Sequence, residues 1–294
     1  MKRRDILIAL MAVAILGGNF VAIKVGVEHM PPLLLTALRF LFAAVPAVFL
    51  VRPPRVPLRH VLAFGFAFGV LQFGLLFTAI HLGMSAGLSS VVIQMQVFFT
   101  IGLAYVCFRE QPAPLQIAGG LLAGVGVVVI GAFTAGGVDL APFLMVLGGA
   151  FAWGLANTII KAAGRINPLA LVAWGSLVAP LPLAALSLLI DGPAIILSSL
   201  SHLDWRIVVA VGFLAYPTTL LAFPLWNNLL ARYPAATVTP FALLIPVVGI
   251  ASTHLLLGET ITATEIFGAC IVLAGLALNI WSAAGQRKTK HVGD

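Results

Sequence analysis

One charged side chain lies inside a long apolar stretch of the sequence. Arg39 stands within PPLLLTALRFLFAAVPAVFLV, residues 31–51, a segment long enough to cross a bilayer. A charge at the centre of a membrane helix costs about 2.5–3.5 kcal/mol on insertion scales, so it is expected to face protein or water. A guanidinium can bind a carboxylate through two parallel hydrogen bonds. Two roles stay open: a structural partner, such as the end carbonyls of a kinked helix, Glu28 or Glu259, or a substrate carboxylate in an outer vestibule.

A stripe of aromatic and polar side chains marks a second candidate surface. Its members recur at helical spacing: Tyr216, Thr219, Phe223, Trp226 and Asn227. An earlier apolar segment contains a related stripe: Gly74, Phe77 and Thr78 have the same spacing as Phe223, Trp226 and Asn227. His81 lies one turn further along this stripe. We expect the two stripes to form opposite walls of a cavity. The alternative is an aromatic packing seam whose hydroxyl groups are bonded internally.

Amide side chains in apolar segments are further candidates. Gln94 can both donate and accept hydrogen bonds, which suits a zwitterionic ligand. Asn19 and Asn157 lie near two related Gly–Lys segments, and Trp153 comes directly before the second of these. For the three amides, a contact with the substrate path and a hydrogen bond between helices are both open, because membrane helices also associate through such bonds.

Two prolines predict an irregular helix near the carboxyl end. Pro240 and Pro246 lie in PAATVTPFALLIPVVGIASTHLLL, and each removes one backbone hydrogen bond from a helix. The carbonyl groups that this frees need neighbours or water. We expect a kink in this segment and a part in gating.

The elements that must position these residues are membrane helices. The chain has 294 residues, of which 61% are hydrophobic and only 9% are charged. A soluble domain carries about 25% charged residues, so a water-exposed surface is excluded. The fold class is therefore an all-α integral membrane protein. Apolar windows fall at residues 5–25, 31–51, 60–81, 86–108, 114–133, 142–161, 168–190, 205–230, 235–257 and 262–284.

Basic residues predict the orientation of these ten helices. If the amino terminus is cytoplasmic, most of the 16 Lys and Arg residues fall inside. They are Lys2, Arg3, Arg4, Arg52, Arg55, Arg59, Arg109, Lys161, Arg165, Arg232, Arg287, Lys288 and Lys290. Acidic residues, among them Asp139, favour the outside. Both termini are then cytoplasmic, and this scatter of positive charge gives no sign of nucleic-acid binding.

The chain contains an internal repeat. GGNFVAIK places Gly17 seven residues before Lys24, and GLANTIIK repeats this spacing with Gly154 and Lys161. Further along, the pair Glu110 and Gly119 recurs with the same separation as Glu259 and Gly268. Residues 1–137 and 138–294 thus form two halves of five helices each, and an odd number gives the halves opposite orientations in the membrane. Inverted repeats of this kind are typical of secondary transporters.

Enzymes and channels fit the sequence less well. GMSAG, residues 83–87, matches a hydrolase pattern, but that pattern needs a strand-to-helix turn, whereas this segment links two helices. We expect no enzymatic activity and no cofactor or metal site. A channel would show repeated filter segments. All nine carboxylates fall in loops or near helix ends, which leaves two modes of coupling: a proton step at His81 or His254, or flow down the substrate gradient.

These segments resemble a known family. GGNFVAIKVG, the arginine in the second helix, FREQPAPLQIAGGLLAGVGVVVI and GETITATEIFGACIVLAGLAL look like the EamA family of the drug/metabolite transporter superfamily. The chain most resembles bacterial exporters of the YddG-like and cysteine/O-acetylserine group. The resemblance implies a ten-helix carrier in the bacterial inner membrane that moves amino acids or related metabolites outward. Other small metabolites or drugs are the alternative cargo, and the oligomeric state stays open.

Overall fold

The computed structural model describes residues 1–134, 140–164, 166–233 and 235–290, and these residues contain helices but no strand. Ten of the described helices are long and apolar enough to span a membrane, which confirms the prediction. They are α1 (Arg3–His29), α2 (Pro32–Leu50), α3 (Leu58–His81), α4 (Ala86–Phe108), α5 (Pro114–Ala132), α6 (Leu140–Ala163), α7 (Pro168–Ile190), α8 (Trp205–Trp226), α9 (Thr239–Leu257) and α10 (Ala263–Ser282). A short helix, Pro193–Ser201, connects α7 to α8. Asp139 and Arg165, used above for orientation, lie outside the described residues.

Short links make successive helices antiparallel, so the bundle has two faces. The amino-terminal face holds the start of α1, where the Asp5 carboxylate accepts hydrogen bonds from Arg232 at 2.8 Å and from the Tyr233 hydroxyl at 2.6 Å. The opposite face holds the end of α1, where the His81 ring bonds the Val27 carbonyl at 2.8 Å. Side chains thus join elements distant in sequence at each face.

Helices α5 and α10 pack against each other through two pairs of glycines. A Cβ on Gly119 would lie 2.6 Å from the carbonyl oxygen of Gly275, and one on Gly126 would lie 2.7 Å from that of Gly268. Only glycine allows so close an approach of two backbones. In the repeat, Gly119 corresponds to Gly268, and Gly126 corresponds to Gly275. Exchanging the two helices therefore turns the contact between Gly119 and Gly275 into the contact between Gly268 and Gly126.

Two further close approaches follow the same repeat. Gly17 of α1 lies against α9, where an added Cβ would be 2.6 Å from the side chain of Val248. Its counterpart Gly154, in α6, lies against α4, where an added Cβ would be 2.9 Å from the Cβ of Phe99. The first helix of each half therefore packs on the fourth helix of the other half.

Four helices contain a segment whose hydrogen-bonding pattern is not α-helical. Helices α3 and α8, the third helix of each half, become π-helical at Phe66–Gln72 and Leu214–Ala222. Helix α4 contains a 3₁₀ segment at Ile93–Met95, and α9 begins with one at Thr239–Leu243. In α8 the ring and missing N–H of Pro217 disfavour regular α-helical bonding. Each of these irregular segments contributes at least one residue to the lining of one interior cavity.

Candidate functional site

A cavity of about 160 Å³ lies where the two halves of the chain meet. Helices α1, α2, α3, α4, α6, α8 and α9 all contribute to it. Its polar lining residues are Asn19, Arg39, Gln72, Gln94, Gln96 and Thr218, and its apolar ones are Leu16, Phe20, Phe73, Leu76, Ile93, Val97, Trp153, Phe223, Trp226, Ala242 and Ile245. Leu16 and Trp153 each stand directly before the glycine of a Gly–Lys segment, so the two halves place related residues on its wall. We call this space the central cavity.

Arg39 is completely buried at the central cavity. Its Nε and Nη2 atoms donate to the Thr219 hydroxyl at 3.4 and 3.3 Å, and that hydroxyl donates in turn to the Leu214 carbonyl at 2.8 Å. The guanidinium carbon lies 3.9 Å from the centre of the Phe73 ring. A cation over an aromatic face gains about 2 kcal/mol when desolvated, which offsets part of the burial cost. One edge of the guanidinium is therefore held in place, while its Nη1 atom has no partner among the described residues.

The central cavity concentrates polar atoms that lack partners. Six buried side-chain atoms in the described chain make no hydrogen bond, and four of them belong to residues that line this cavity. Those four are Asn19 Oδ1, Arg39 Nη1, Gln72 Oε1 and Thr218 Oγ1. A buried polar atom without a partner costs about 1–3 kcal/mol. Residues that line the cavity thus hold one donor and three oxygen atoms whose hydrogen-bonding capacity is unsatisfied.

The predicted carboxylate partners of Arg39 are wrong. Glu28 pairs with Lys24 at 3.3 Å. Glu259 accepts hydrogen bonds at 3.0 Å from the Ser85 hydroxyl and from the backbone N–H groups of Ala86 and Gly87. Both glutamates are occupied at the opposite face, whereas Arg39 lines a cavity formed by seven helices. The guanidinium therefore lies inside the bundle and not in a vestibule at its end.

The structure brings six of the predicted site residues to the central cavity. They are Asn19, Arg39, Gln94, Trp153, Phe223 and Trp226. Thr219 stands behind them as the hydroxyl that holds Arg39. Phe77 is fully buried, with its ring centre 5.7 Å from the guanidinium carbon. The part that these residues have in transport stays a prediction.

Three predicted residues lie away from the central cavity. Tyr216 is 46% exposed and lies in a groove with Leu38 and Phe42. Thr78 and His81 line a separate space against α7. In α8 the expected stripe assumed a regular helical period, but the π-helical segment Leu214–Ala222 widens the turn and changes which residues share a face. In α3 the residues Gly74, Thr78 and His81 do share a face of the regular segment Phe73–His81, but that face lies against α7. The wall from α3 is therefore Gln72, Phe73 and Leu76. The side chain of Asn227 lies outside the described part of the chain.

Asn157 joins two helices near the central cavity. Its Nδ2 atom donates to Gln96 Oε1 at 2.9 Å and to Thr100 Oγ1 at 3.1 Å. Of the two roles left open by the sequence, the structure shows the hydrogen bond between α6 and α4. Gln96, on the other end of that bond, is the residue that lines the cavity.

The two prolines of α9 take different positions. Pro240 is exposed and lies in the 3₁₀ segment Thr239–Leu243. Pro246 is buried in the first turn of the following α-helical segment, Leu244–Leu257, where its missing N–H is tolerated. The Pro246 carbonyl accepts a hydrogen bond from the Ser90 hydroxyl at 3.3 Å. The irregular start of α9 contains Ala242, and Ile245 follows it closely; both residues line the cavity.

Ser85, the serine of the hydrolase pattern, is the cap of α4. Its Oγ accepts from the Leu88 N–H at 3.2 Å and donates to Glu259 at 3.0 Å. Serine at this position satisfies a backbone N–H that the first turn of a helix leaves free. The G-x-S-x-G segment is thus explained by helix capping.

Sequence reasoning missed Gln72 and Thr218, although both line the cavity. Each is a polar residue in a long apolar run, FAFGVLQFGLLF and LAYPTTLLAF. Such residues in membrane helices face protein or a cavity. That signal was available for both, but a regular helical period gave no reason to group them with Arg39.

A model of the EamA-like transporter family matches residues 3–132 and again residues 140–281. The chain belongs to this family. It is 40% identical over 299 residues to a Salmonella typhimurium protein named "Probable amino-acid metabolite efflux pump", with 100% of each chain covered. A protein of the same name from Escherichia coli is 39% identical, with 99% of each chain covered. An uncharacterized transporter of Archaeoglobus fulgidus is 27% identical over 90% of this chain and 95% of its own.

A solved crystal structure shares the fold of this family member. It superposes with a TM-score of 0.66 and covers 96% of this chain and 98% of its own, at 18% sequence identity. The ten-helix architecture thus recurs in an experimental structure. Membership of this family, together with the ten apolar helices, establishes that this chain is a membrane transporter.

Proposed function

We propose that the chain is a secondary carrier that exports amino acids or closely related small metabolites across the bacterial cytoplasmic membrane by alternating access. The observation that carries this proposal is the central cavity, where a buried guanidinium has an unpartnered edge and no carboxylate among the described lining residues. A ligand carboxylate would supply the missing negative charge through charge-assisted hydrogen bonds. The names of the two full-length relatives support this class of substrate.

The division into two inverted halves, residues 1–137 and 138–294, is part of this proposal. The two segments that match the family model, residues 3–132 and 140–281, support it. So do the exchangeable glycine pairs of α5 and α10 and the related contacts of Gly17 and Gly154. We assign the amino-terminal face to the cytoplasm because Lys and Arg are concentrated there. Both termini are then cytoplasmic, and the cavity lies between the halves, as in other carriers built on repeats.

Residues in this site have three proposed roles. Arg39 binds the substrate carboxylate, and Thr219 and Phe73 hold the guanidinium in position. Asn19 and Gln94 provide hydrogen bonds, while Trp153, Phe223 and Trp226 provide apolar walls. Helix α9, which begins with the 3₁₀ segment that contains Pro240 and has Pro246 in the first turn of the α-helix that follows, is the proposed moving gate. The described cavity lining contains no histidine, aspartate or glutamate, which favours flow down the substrate gradient over a proton step at the cavity.

The test is uptake of labelled amino acids into proteoliposomes that contain the purified protein. We expect saturable uptake, acceleration by unlabelled substrate on the other side, and the same rate with and without a pH gradient. Arg39→Ala and Arg39→Lys should each lower uptake at least tenfold, because Lys cannot reproduce the planar fork. Arg206→Ala, a change at an exposed arginine, is the matched control and should leave uptake unchanged.

Other outcomes identify the alternatives. Flux that rises linearly with concentration, without acceleration by substrate on the other side, would indicate a channel. Uptake of other metabolites or drugs by folded protein, but of no amino acid, would overturn the proposed substrate class. Uptake that an imposed pH gradient drives uphill would establish proton coupling.

A further inference from the structure

The unpartnered atoms of the central cavity differ in chemical kind. Arg39 Nη1 is a donor on a cation, whereas Asn19 Oδ1, Gln72 Oε1 and Thr218 Oγ1 are oxygen atoms able to accept. A carboxylate has only acceptor atoms and an ammonium has only donors, so the two kinds of group match opposite parts of this set. Nothing in the described cavity lining fits a second negative charge as well as Arg39 fits the first.

The position of the oxygens supports a ligand and not a packing role. Gln72 is the last residue of the π-helical segment in α3, and Thr218 lies in the π-helical segment of α8. Such segments occur frequently at functional sites. Both residues are almost completely buried, with 1% of each side chain exposed, and they come from different halves of the chain. A purely structural hydroxyl in a membrane helix commonly bonds a backbone carbonyl, as Thr36 does at 2.7 Å, whereas Thr218 makes no such bond.

The rest of the cavity limits the side chain of the ligand. Eleven of its seventeen lining residues are apolar or aromatic, and Arg39 is the one charged residue among those described. The volume of about 160 Å³ is similar to that of an engineered apolar cavity of about 150 Å³ that holds benzene. A charged ligand side chain would find no partner of opposite charge beyond Arg39, which the carboxylate occupies.

We infer that the central cavity binds the head group of an α-amino acid as a zwitterion and selects small amino acids with uncharged side chains. The carboxylate binds Arg39, and the ammonium donates to the oxygens of Asn19, Gln72 and Thr218. Neutral oxygens and aromatic faces bind the ammonium without an acidic residue, since a cation also gains from the faces of rings such as Trp226 and Phe223. This inference rests on the proposed function and adds to it the ammonium subsite and the substrate class.

Competition by matched compounds tests whether both charges are read. The probe is labelled alanine or leucine, whichever the wild-type protein takes up faster into proteoliposomes. Its N-acetyl derivative keeps the carboxylate but has no ammonium, and its methyl ester keeps the ammonium but has no carboxylate. We expect each derivative to compete at least tenfold more weakly than the parent, and glutamate and lysine to compete as weakly. Equal competition by the N-acetyl derivative would overturn the ammonium subsite.

Two conservative variants assign the subsite to residues. Gln72→Leu and Thr218→Val keep the shape of the side chain and remove its hydrogen-bonding atoms. Each should raise the KM for the amino acid about tenfold and leave competition by the N-acetyl derivative unchanged. Gln116→Leu is the matched control, because that glutamine lies on α5, where it bonds the N–H of Ala113 at 2.9 Å, and it should change neither value.

The outcomes also separate this inference from the proposed function. Both variants should elute as monodisperse protein. If they weaken binding of the amino acid and of its N-acetyl derivative equally, or weaken neither, the ammonium subsite is wrong although the carrier function stands. If folded wild-type protein takes up none of the amino acids, the proposed function fails first. If Gln72→Leu does not fold, Thr218→Val tests the assignment alone. An unchanged KM for the amino acid in Thr218→Val would then overturn the ammonium subsite.

Discussion

The two halves of α4 have opposite surroundings. Every residue of Ala86–Val92 and of Ile93–Met95 is buried, whereas none of the thirteen described residues of Gln96–Phe108 is. The first half packs on the end of α9 and on the segment that follows it. The second half contacts α6 at Gly154 and Asn157. The first half of α4 is therefore tightly enclosed by its neighbours, whereas the second half is much less enclosed.

The difference arises from small residues and from one carboxylate. Gly87 lies against Thr253, and Gly249 lies against Ser90, so the backbones of α4 and α9 approach closely at the opposite face. Glu259 then caps the start of α4 with three hydrogen bonds. Its counterpart in the first half of the repeat, Glu110, instead pairs with Lys161 at an exposed site.

The tight contact between α4 and α9 bears directly on the proposed cycle. With the amino-terminal face in the cytoplasm, this contact lies on the periplasmic side of the central cavity. An exporter by alternating access must separate these ends to release its substrate outward. In this orientation the Glu259 cap is the contact that we expect outward opening to break, and the Glu110 pair lies at the cytoplasmic end of α4.

Replacing the two glutamates should give the largest contrast. Glu259→Ala removes three hydrogen bonds to a charged group, each worth about 1.5–3 kcal/mol, and leaves the start of α4 without its acidic cap. We expect it to lower the free energy of unfolding by at least about 2 kcal/mol. Glu110→Ala breaks an exposed pair and should cost less than about 1 kcal/mol. Thermal unfolding in detergent measures both, and equal losses would contradict the different roles given to the two faces.

Adding one methyl group to each half of α4 should give the next largest contrast. A Cβ on Gly87 would lie 2.7 Å from Thr253 Oγ1, whereas one on Gly102 would meet no atom within 4 Å. Overpacking a close contact costs about 1–3 kcal/mol, so Gly87→Ala should destabilise the protein by that amount. Gly102→Ala should stabilise it by about 0.5–1 kcal/mol, the usual gain of alanine over glycine in a helix. Thermal unfolding of the two variants is the measurement, and a loss of stability in Gly102→Ala would show that the second half is enclosed as tightly as the first.

The fold follows closely from the sequence, because length and hydropathy determine a membrane helix almost alone. Windows such as 86–108 and 168–190 coincide with the helices Ala86–Phe108 and Pro168–Ile190. Burial of Arg39 also follows, since a charge in an apolar span must face protein or a cavity.

The site follows only in part, because its geometry depends on irregular helix segments. Phe223 and Trp226 reach the cavity as expected, but Tyr216 lies outside it. A regular helical period cannot place Tyr216, inside the π-helical segment Leu214–Ala222, on the same face as the residues that follow the segment. The cap formed by Glu259 on α4 escaped prediction for another reason: it joins two segments that lie far apart in the chain, and no local pattern encodes such a contact.

Removing a hydrogen bond from each half of α4 should give the smallest difference in stability between variants. In the first half the Ser90 hydroxyl donates to the Gly87 carbonyl at 2.5 Å and to that of Pro246 at 3.3 Å. In the second half of α4, Gln96 and Thr100 accept hydrogen bonds from Asn157 of α6. Hydrogen bonds between membrane helices average about 0.6 kcal/mol and reach about 1.7 kcal/mol. Ser90→Ala and Asn157→Leu should therefore each lower stability by no more than that, as measured by unfolding in detergent.

The same two variants distinguish packing from substrate contact at Asn157. Its amide is bonded to Gln96, and Asn157 is not among the described residues that line the central cavity. Asn157→Leu should therefore leave the KM for the transported amino acid within about twofold of the wild-type value, as should Ser90→Ala, since a factor of two is only about 0.4 kcal/mol. A tenfold rise in KM for Asn157→Leu alone, with stability retained, would mean that the second half of α4 and its partner α6 rearrange around the substrate. In that case the second, less enclosed half of α4 would be part of the binding site. The difference in burial between the two halves of α4 would then reflect substrate binding as well as closure of the periplasmic side.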